Sequence, residues 1–191
     1  MNAPASTAPK LDRRSLLFAF GVASVSQLLP AQLNTARKVA TAKPNENRFR
    51  YQKFDVYLTP ACKVTSEDSA GTISLMELTI PPRSGPPLHA HHREDETYYV
   101  LSGEFQFEVG GEKYSLPQGS TIFAPREIPH RWANIAMADA KLILVCTPAG
   151  FERFFDETAK AILDKAPMEQ MAQIMSKYGI DPLGPPLFPP E

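Results

Sequence analysis

In the segment EFQFEVGGEKYSL, Phe105, Phe107 and Val109 alternate with Glu104, Gln106 and Glu108 and then run into Gly110-Gly111, and this pattern constrains the fold most. A period of two sends successive side chains to opposite faces, so the segment is a strand with one apolar and one wet face. Two glycines in sequence supply the positive φ angles of a two-residue hairpin turn. Further short runs of the same kind lie at 54–58, 72–80, 97–101, 113–116, 121–124, 130–134 and 141–147, separated by turn residues. Many short strands at close spacing predict a sandwich or barrel, and the fold class is therefore all-β.

The periodicity changes after Gly150. Phe151, Phe154, Phe155, Ala159 and Ile162 recur at helical spacing, and Met168, Met171, Ala172, Met175 and Tyr178 do so again, between Pro167 and Gly179. Two short amphipathic helices are expected there, with the Met and aromatic stripes acting as packing surface. The tail DPLGPPLFPPE is too rich in proline for regular structure and is expected to lie extended.

Ahead of the strands, Arg13-Arg14 precede a 14-residue apolar stretch, Leu16 to Leu29, which Pro30 ends. A membrane span needs about 20 apolar residues, so the stretch suits the h-region of an export signal, and Arg13-Arg14-Ser15-Leu16-Leu17 resembles a twin-arginine leader. The organisation expected is an export signal at 1–42, a barrel at 43–150 and a helical extension with a Pro-rich tail at 151–191. A periplasmic or secreted protein with no stable membrane span after processing follows; the alternative is an attached amphipathic helix on a cytoplasmic protein. Without residues 1–42 the chain has 15 basic and 20 acidic side chains, a balance that repels phosphate backbones and argues against nucleic acid as a partner. Cys62 and Cys146 could pair in an oxidising compartment, but Cys146 lies in an apolar run, which favours two free buried thiols.

The chain has four histidines, and three of them stand between positions 89 and 92. His89 and His91 are two apart, so on an extended strand both imidazoles point to one face and can reach a common ion at roughly 2.0–2.2 Å. His92 then points away. Glu96 follows after a bend and returns its carboxylate toward the same centre, and His130 comes from a later strand. Tyr98 and Val100 share the face of Glu96, which puts an aromatic ring beside the centre. Of the acidic neighbours Glu94, Asp95 and Glu96, alternation favours Glu96 as the ligand.

GPPLHAHHREDETYYVLSG, residues 85–103, resembles the first motif of the cupin family, and GSTIFAPREIPHRWAN, residues 119–134, resembles the second. The resemblance spans roughly residues 51–148. It implies a double-stranded β-helix, or jelly-roll, barrel with His89, His91, Glu96 and His130 as metal ligands. The segments FERFFDETAKAIL and KYGIDPLGPPL also resemble the tails of single-domain bacterial cupins called quercetinase-like. Gly85 stands nearer the first histidine than the family pattern commonly has it, and Glu127 stands where the second motif usually has glycine. Glu127 has two readings: it decorates a turn stiffened by Pro129, or it is a functional carboxylate near the cavity mouth. Asn134 is expected to stabilise a turn.

Three imidazoles and one carboxylate suit a divalent transition metal: iron, manganese, nickel, cobalt, copper or zinc. On a six-coordinate ion they leave two positions for water, substrate or dioxygen. With those positions open, the first reading is a dioxygenase acting on a small hydroxylated aromatic or enediol substrate, with Glu96 as proton acceptor. Tyr98, Phe105, Phe107, Phe123 and Trp132 are the expected substrate-lining wall. Two other readings keep the metal: an isomerase or lyase that uses no oxygen, and a non-catalytic periplasmic protein that binds a small molecule. Cupins usually pair through a sheet edge or an exchanged terminal strand, so a homodimer is expected, with residues 44–60 suited to exchange.

Overall fold

The computed structural model describes residues 37–49 and 58–189. The expected leader lies outside the described residues except for 37–42, and the expected strand 54–58 lies outside them except for Leu58. No helix among the described residues is long and apolar enough to cross a membrane.

Among the described residues, ten strands form two antiparallel five-stranded sheets. They are β1 (Thr59–Val64), β2 (Ser74–Ile80), β3 (Leu88–His91), β4 (Asp95–Ser102), β5 (Glu104–Val109), β6 (Glu112–Pro117), β7 (Thr121–Ala124), β8 (His130–Asn134), β9 (Ala140–Thr147) and β10 (Ile180–Gly184). The first sheet has the order β1-β2-β9-β4-β7 and the second β10-β3-β8-β5-β6. Both sheets order strands that are distant in sequence side by side, as a jelly roll does. The described residues also form three helices: α1 (Ser66–Ser69), α2 (Glu152–Leu163) and α3 (Met168–Lys177).

Period-two alternation builds the core. Met76, Leu78 and Ile80 of β2 and Leu142, Leu144 and Cys146 of β9 are buried while the residues between them are only partly so. The second sheet answers with Phe105, Phe107 and Trp132. Each such side chain stabilises the fold by about 1.5–3 kcal/mol through the area removed from water. The expected hairpin forms as β5 and β6, and both of its turn glycines have positive φ, 60° at Gly110 and 86° at Gly111. Cys62 and Cys146 are buried free thiols, and burial pushes Cys62 up to about 12 and Cys146 well above the ordinary range.

The C-terminal tail differs from expectation. Ile180–Gly184 is a strand, antiparallel to β3, with Ile180 opposite His91 and Pro182 opposite His89. Proline is tolerated there because β10 is an edge strand, where one side of the backbone has no ladder to complete. On α3 Met171, Met175 and Tyr178 of the expected stripe pack against the core, joined by the buried Ile174, while Ala172 is exposed and Met168 is 82% exposed.

Residues 37–49 run beside α1. The Lys38 amide donates to the Asp68 carbonyl at 2.8 Å, and the Arg48 guanidinium grips the Asp68 carboxylate with both terminal nitrogens. Asp68 also closes a capping box with Thr65. The Arg48 guanidinium holds the Asp68 carboxyl well below its ordinary value of 3.8. Asp68→Ala is expected to destabilise the fold by about 2–3 kcal/mol in urea unfolding, from charged hydrogen bonds and a lost cap. A carboxyl that titrates lower in the folded than in the unfolded state contributes fully above the unfolded value and loses that contribution as pH falls through the folded one. The gap between wild type and variant therefore closes as pH is lowered below about 4.

Candidate metal centre

The two halves of the centre come from facing sheets. His89 and His91 lie on β3, and His130 opens β8 directly opposite His89 in the antiparallel register. Glu96 projects from β4 in the other sheet. The ring centroids of His89 and His130 are 4.5 Å apart, those of His89 and His91 4.9 Å, and those of His91 and His130 5.6 Å. One ligand atom from each of the four residues lies within 4.8 Å of all the others. Donors that share one ion at roughly 2.0–2.2 Å sit about 3–4.4 Å from each other, so the cluster is able to hold an ion after small adjustments.

Each imidazole presents the same nitrogen to the centre. Nδ1 of His89 faces the Pro87 carbonyl at 2.8 Å, Nδ1 of His91 the Glu94 carboxylate at 2.6 Å, and Nδ1 of His130 the Ile128 carbonyl at 3.0 Å. An acceptor at Nδ1 favours the proton there and turns Nε2 to the centre, which is how protein metal sites orient their histidines, and Nε2 of His130 there meets Glu96 Oε2 at 2.8 Å. Nε2 of His91 is buried and has no hydrogen-bond partner. A buried polar nitrogen without a partner is costly, and a cation at the centre would satisfy it.

Electrostatics support the same reading. Burial pushes the Glu96 carboxyl up, but His91 and His130 outweigh it, and the net shift is down, to an ionised carboxylate. Burial, reinforced by His130 and His91, pushes His89 down to about 3, so its ring is neutral and free to ligate. His91 is raised despite burial, because Glu96 and Glu94 favour its charged form in the absence of an ion. Tyr98 donates its hydroxyl to Glu96 Oε2 at 2.6 Å, and burial followed by the charge of Glu96 pushes the phenol well above its ordinary range. Tyr98 therefore stays a donor.

The three adjacent acids divide their roles. Asp95 turns outward to Arg126, at 2.8 Å, Glu96 enters the centre, and Glu94 sits behind His91 at 5% exposure. Glu94→Gln is expected to weaken divalent-metal affinity roughly 10–100-fold, as loss of an orienting carboxylate does, in a titration against a competing chelator.

A cavity of about 50 Å³ opens from the centre. Of the residues expected to line a substrate, Tyr98 and Trp132 face this cavity. Phe105 and Phe107 are fully buried and pack behind those two rings, with Phe107 5.3 Å from Tyr98 and Phe105 6.0 Å from Trp132. Phe123 is a correction: it is 56% exposed and lies in a surface groove with Tyr114 and Leu116. On β7 the inward parity belongs to Ala124, which pairs with Glu96, and Phe123 takes the outward one. The rest of the wall is Leu58, Leu78, Pro86, Leu144, Met175 and Ile180, with Phe151 at the N-cap of α2 and Phe154 and Phe155 within it. The helical residues thus belong to the cavity as well as to the packing, and Phe151 stands edge-on to His91 at 4.7 Å.

The motif residues have structural duties of their own. A Cβ on Gly85 would fall 1.8 Å from the Trp132 carbonyl oxygen, so only glycine lets this loop cross β8. Glu127 has φ 65°, the left-handed conformation that glycine adopts without strain, and its side chain is 60% exposed and meets His92 Nδ1 at 2.8 Å. Nε2 of the same ring meets Asp181 of β10 at 2.8 Å, so His92 clasps the turn to the last strand and Glu127 stands away from the cavity lining. Asn134 bonds Ile80, Ala138 and Ala136 of the backbone, as a turn-stabilising amide does.

Comparison with known proteins agrees with this geometry. The family model described as a cupin domain matches residues 76–146. An uncharacterised protein of Methanocaldococcus jannaschii is 33% identical over 75 residues, which are 39% of this chain and 60% of that protein. An oxalate-binding protein of Thermotoga maritima is 31% identical over 68 residues, 36% of this chain and 56% of the relative. The matched stretches thus span less than two thirds of these relatives. An RmlC-like cupin from Shewanella frigidimarina superposes with a TM-score of 0.50 at 18% identity, covering 60% of this chain and 95% of its own, a likeness of fold. A matching family model, the jelly-roll sheets and the clustered ligands of both motifs together show that residues 76–146 of this chain belong to a cupin domain.

Proposed function

We propose that the protein is a metal-dependent enzyme of the dioxygenase type, acting on a small hydroxylated substrate, an enediol in preference to a fused aromatic. The observation that carries this reading is the convergence of four ligands, three with the metal-binding nitrogen turned inward, at the polar end of a cavity whose remaining wall is aliphatic and aromatic side chains. A divalent ion bound there would act as a Lewis acid toward the substrate's oxygen donors. Glu96, as ligand or after release from the ion, would accept the hydroxyl proton, and the Tyr98 hydroxyl at 2.6 Å fixes the orientation of its carboxylate. The apolar wall excludes bulk water from the reacting atoms and suits an apolar gas as co-substrate.

Size narrows the substrate. A water needs about 10–15 Å³ of such space and a benzene-sized ligand about 150 Å³. The cavity's 50 Å³ supports a molecule of a few heavy atoms, and a ring-sized substrate requires α2 to move outward. A second reading, non-catalytic capture of a small chelating anion, is favoured by the same volume and by the similarity to the oxalate-binding protein of T. maritima. Metal-loaded protein is tested with small enediols, catechols and oxalate, following oxygen consumption and product in air and under strict anaerobiosis. Oxygen-dependent turnover of an enediol supports the enzyme. Saturable oxalate binding without product supports the capture reading, and turnover without oxygen replaces both with isomerase or lyase chemistry.

A further inference from the structure

Behind the metal centre lies a second pocket, of about 460 Å³, lined by Arg93, Glu94, Pro148, Phe151, Arg153, Lys177 and Tyr178 along with Ala149 and Gly150. It differs from the metal cavity in charge. Three cationic side chains face it against one carboxylate, and that carboxylate, Glu94, is spent on His91 Nδ1. Among the described residues Arg93 has no hydrogen-bond or ion-pair partner, and Arg153 commits one terminal nitrogen to Ser66 Oγ at 3.1 Å. Lys177 is already paired with Glu157, which lowers its share. The nearby Glu152 is 5% exposed and points both carboxylate oxygens at the backbone amides of Ser66 and Gly150, away from competition for the arginines. One side of the pocket is apolar: the Phe151 ring, itself 7% exposed, with Pro148 and Ala149 beside it.

We propose that this pocket binds a small organic anion, its carboxylate or phosphate held by the Arg93 and Arg153 guanidinium groups and its apolar body laid against Phe151 and Pro148. Arginine favours such anions because its planar fork matches two oxygens at once. The site is separate from the metal: Phe151 is the wall it shares with the metal cavity, and no ligand histidine lines it. The proposal therefore does not rest on the enzymatic reading.

Phenyl phosphate is the probe, measured by isothermal titration at low chloride on the full chain. Because a phosphate could also ligate an ion, the titration is repeated on His89→Ala, which removes a metal ligand and leaves the pocket lining intact. Saturable binding is expected in both proteins, with affinities within about twofold of each other. Arg93→Ala and Arg153→Ala each weaken it about tenfold, as loss of a charge-assisted contact does. Lys113→Ala, on the exposed hairpin, leaves it unchanged, and inorganic phosphate binds more weakly than phenyl phosphate. Melting curves confirm that the variants are folded. Absence of saturable binding, indifference to both arginine variants, or loss of binding in His89→Ala would each overturn the proposal.

Discussion

His89→Ala is expected to yield a folded barrel that no longer retains a stoichiometric divalent metal, with a loss of affinity greater than the roughly 10–100-fold of Glu94→Gln. His89 is the ligand whose removal strands no charge. Its ring is neutral, with a pKa pushed down to about 3, and its Nδ1 partner is the Pro87 carbonyl. His91 is different, because its imidazole lies between Glu94 at 2.6 Å and Glu96 at 3.6 Å. Removing it strands the buried Glu94 carboxylate, while Glu96 keeps His130 at 2.8 Å, and one unpaired buried charge costs about 3–5 kcal/mol in its own right. His91→Ala should therefore lose metal and stability together, while His89→Ala loses metal with the thermal midpoint of the metal-free protein preserved. Metal analysis of untagged protein beside melting curves separates the two outcomes. Full metal retention by His89→Ala would refute the ligand assignment.

Phe155→Ala is expected to cost about 3–5 kcal/mol in urea unfolding, the range for deleting a buried aromatic ring. Phe155 is 4% exposed, and its ring lies 5.3 Å from Phe151, 5.6 Å from Phe154 and 5.9 Å from Phe49. It ties α2 to the barrel and the segment before β1 at one point. Because the same ring lines the metal cavity, its loss also widens that cavity. A stabilising shift in melting temperature on adding benzene, present in the variant and absent in the wild type, would register the new volume. An unfolding free energy within 1 kcal/mol of wild type would show that α2 packs without this ring.

The parts legible in the sequence are those whose periodicity admits one solution. The β5–β6 hairpin, the buried rows of β2 and β9, and the His-x-His strand follow from a period of two, and the helical stripe after Gly150 from a period of 3.6. Phe123 was illegible for a local reason. In Thr121–Ala124 both parities carry an apolar residue, and size favours Phe123 although register gives the interior to Ala124. Strand β10 was hidden by Pro182, since propensity ignores whether a strand has a neighbour on its second side. The left-handed backbone at Glu127 leaves no trace in a non-glycine residue, and only the cupin pattern hints at it. The cavity duty of Phe151 and Phe155 follows from the docking of α2, which no pattern within the helix reports.

Strand β3 is joined to β8 by a single residue pairing, His89 with His130, but to β10 by four. The segment that carries two of the metal ligands thus owes most of its ladder to residues near the far end of the polypeptide. An ion that holds His89 and His91 in place stabilises the pairing of Ile180–Gly184 with them, and by reciprocity a firmly seated final strand raises the affinity for the ion.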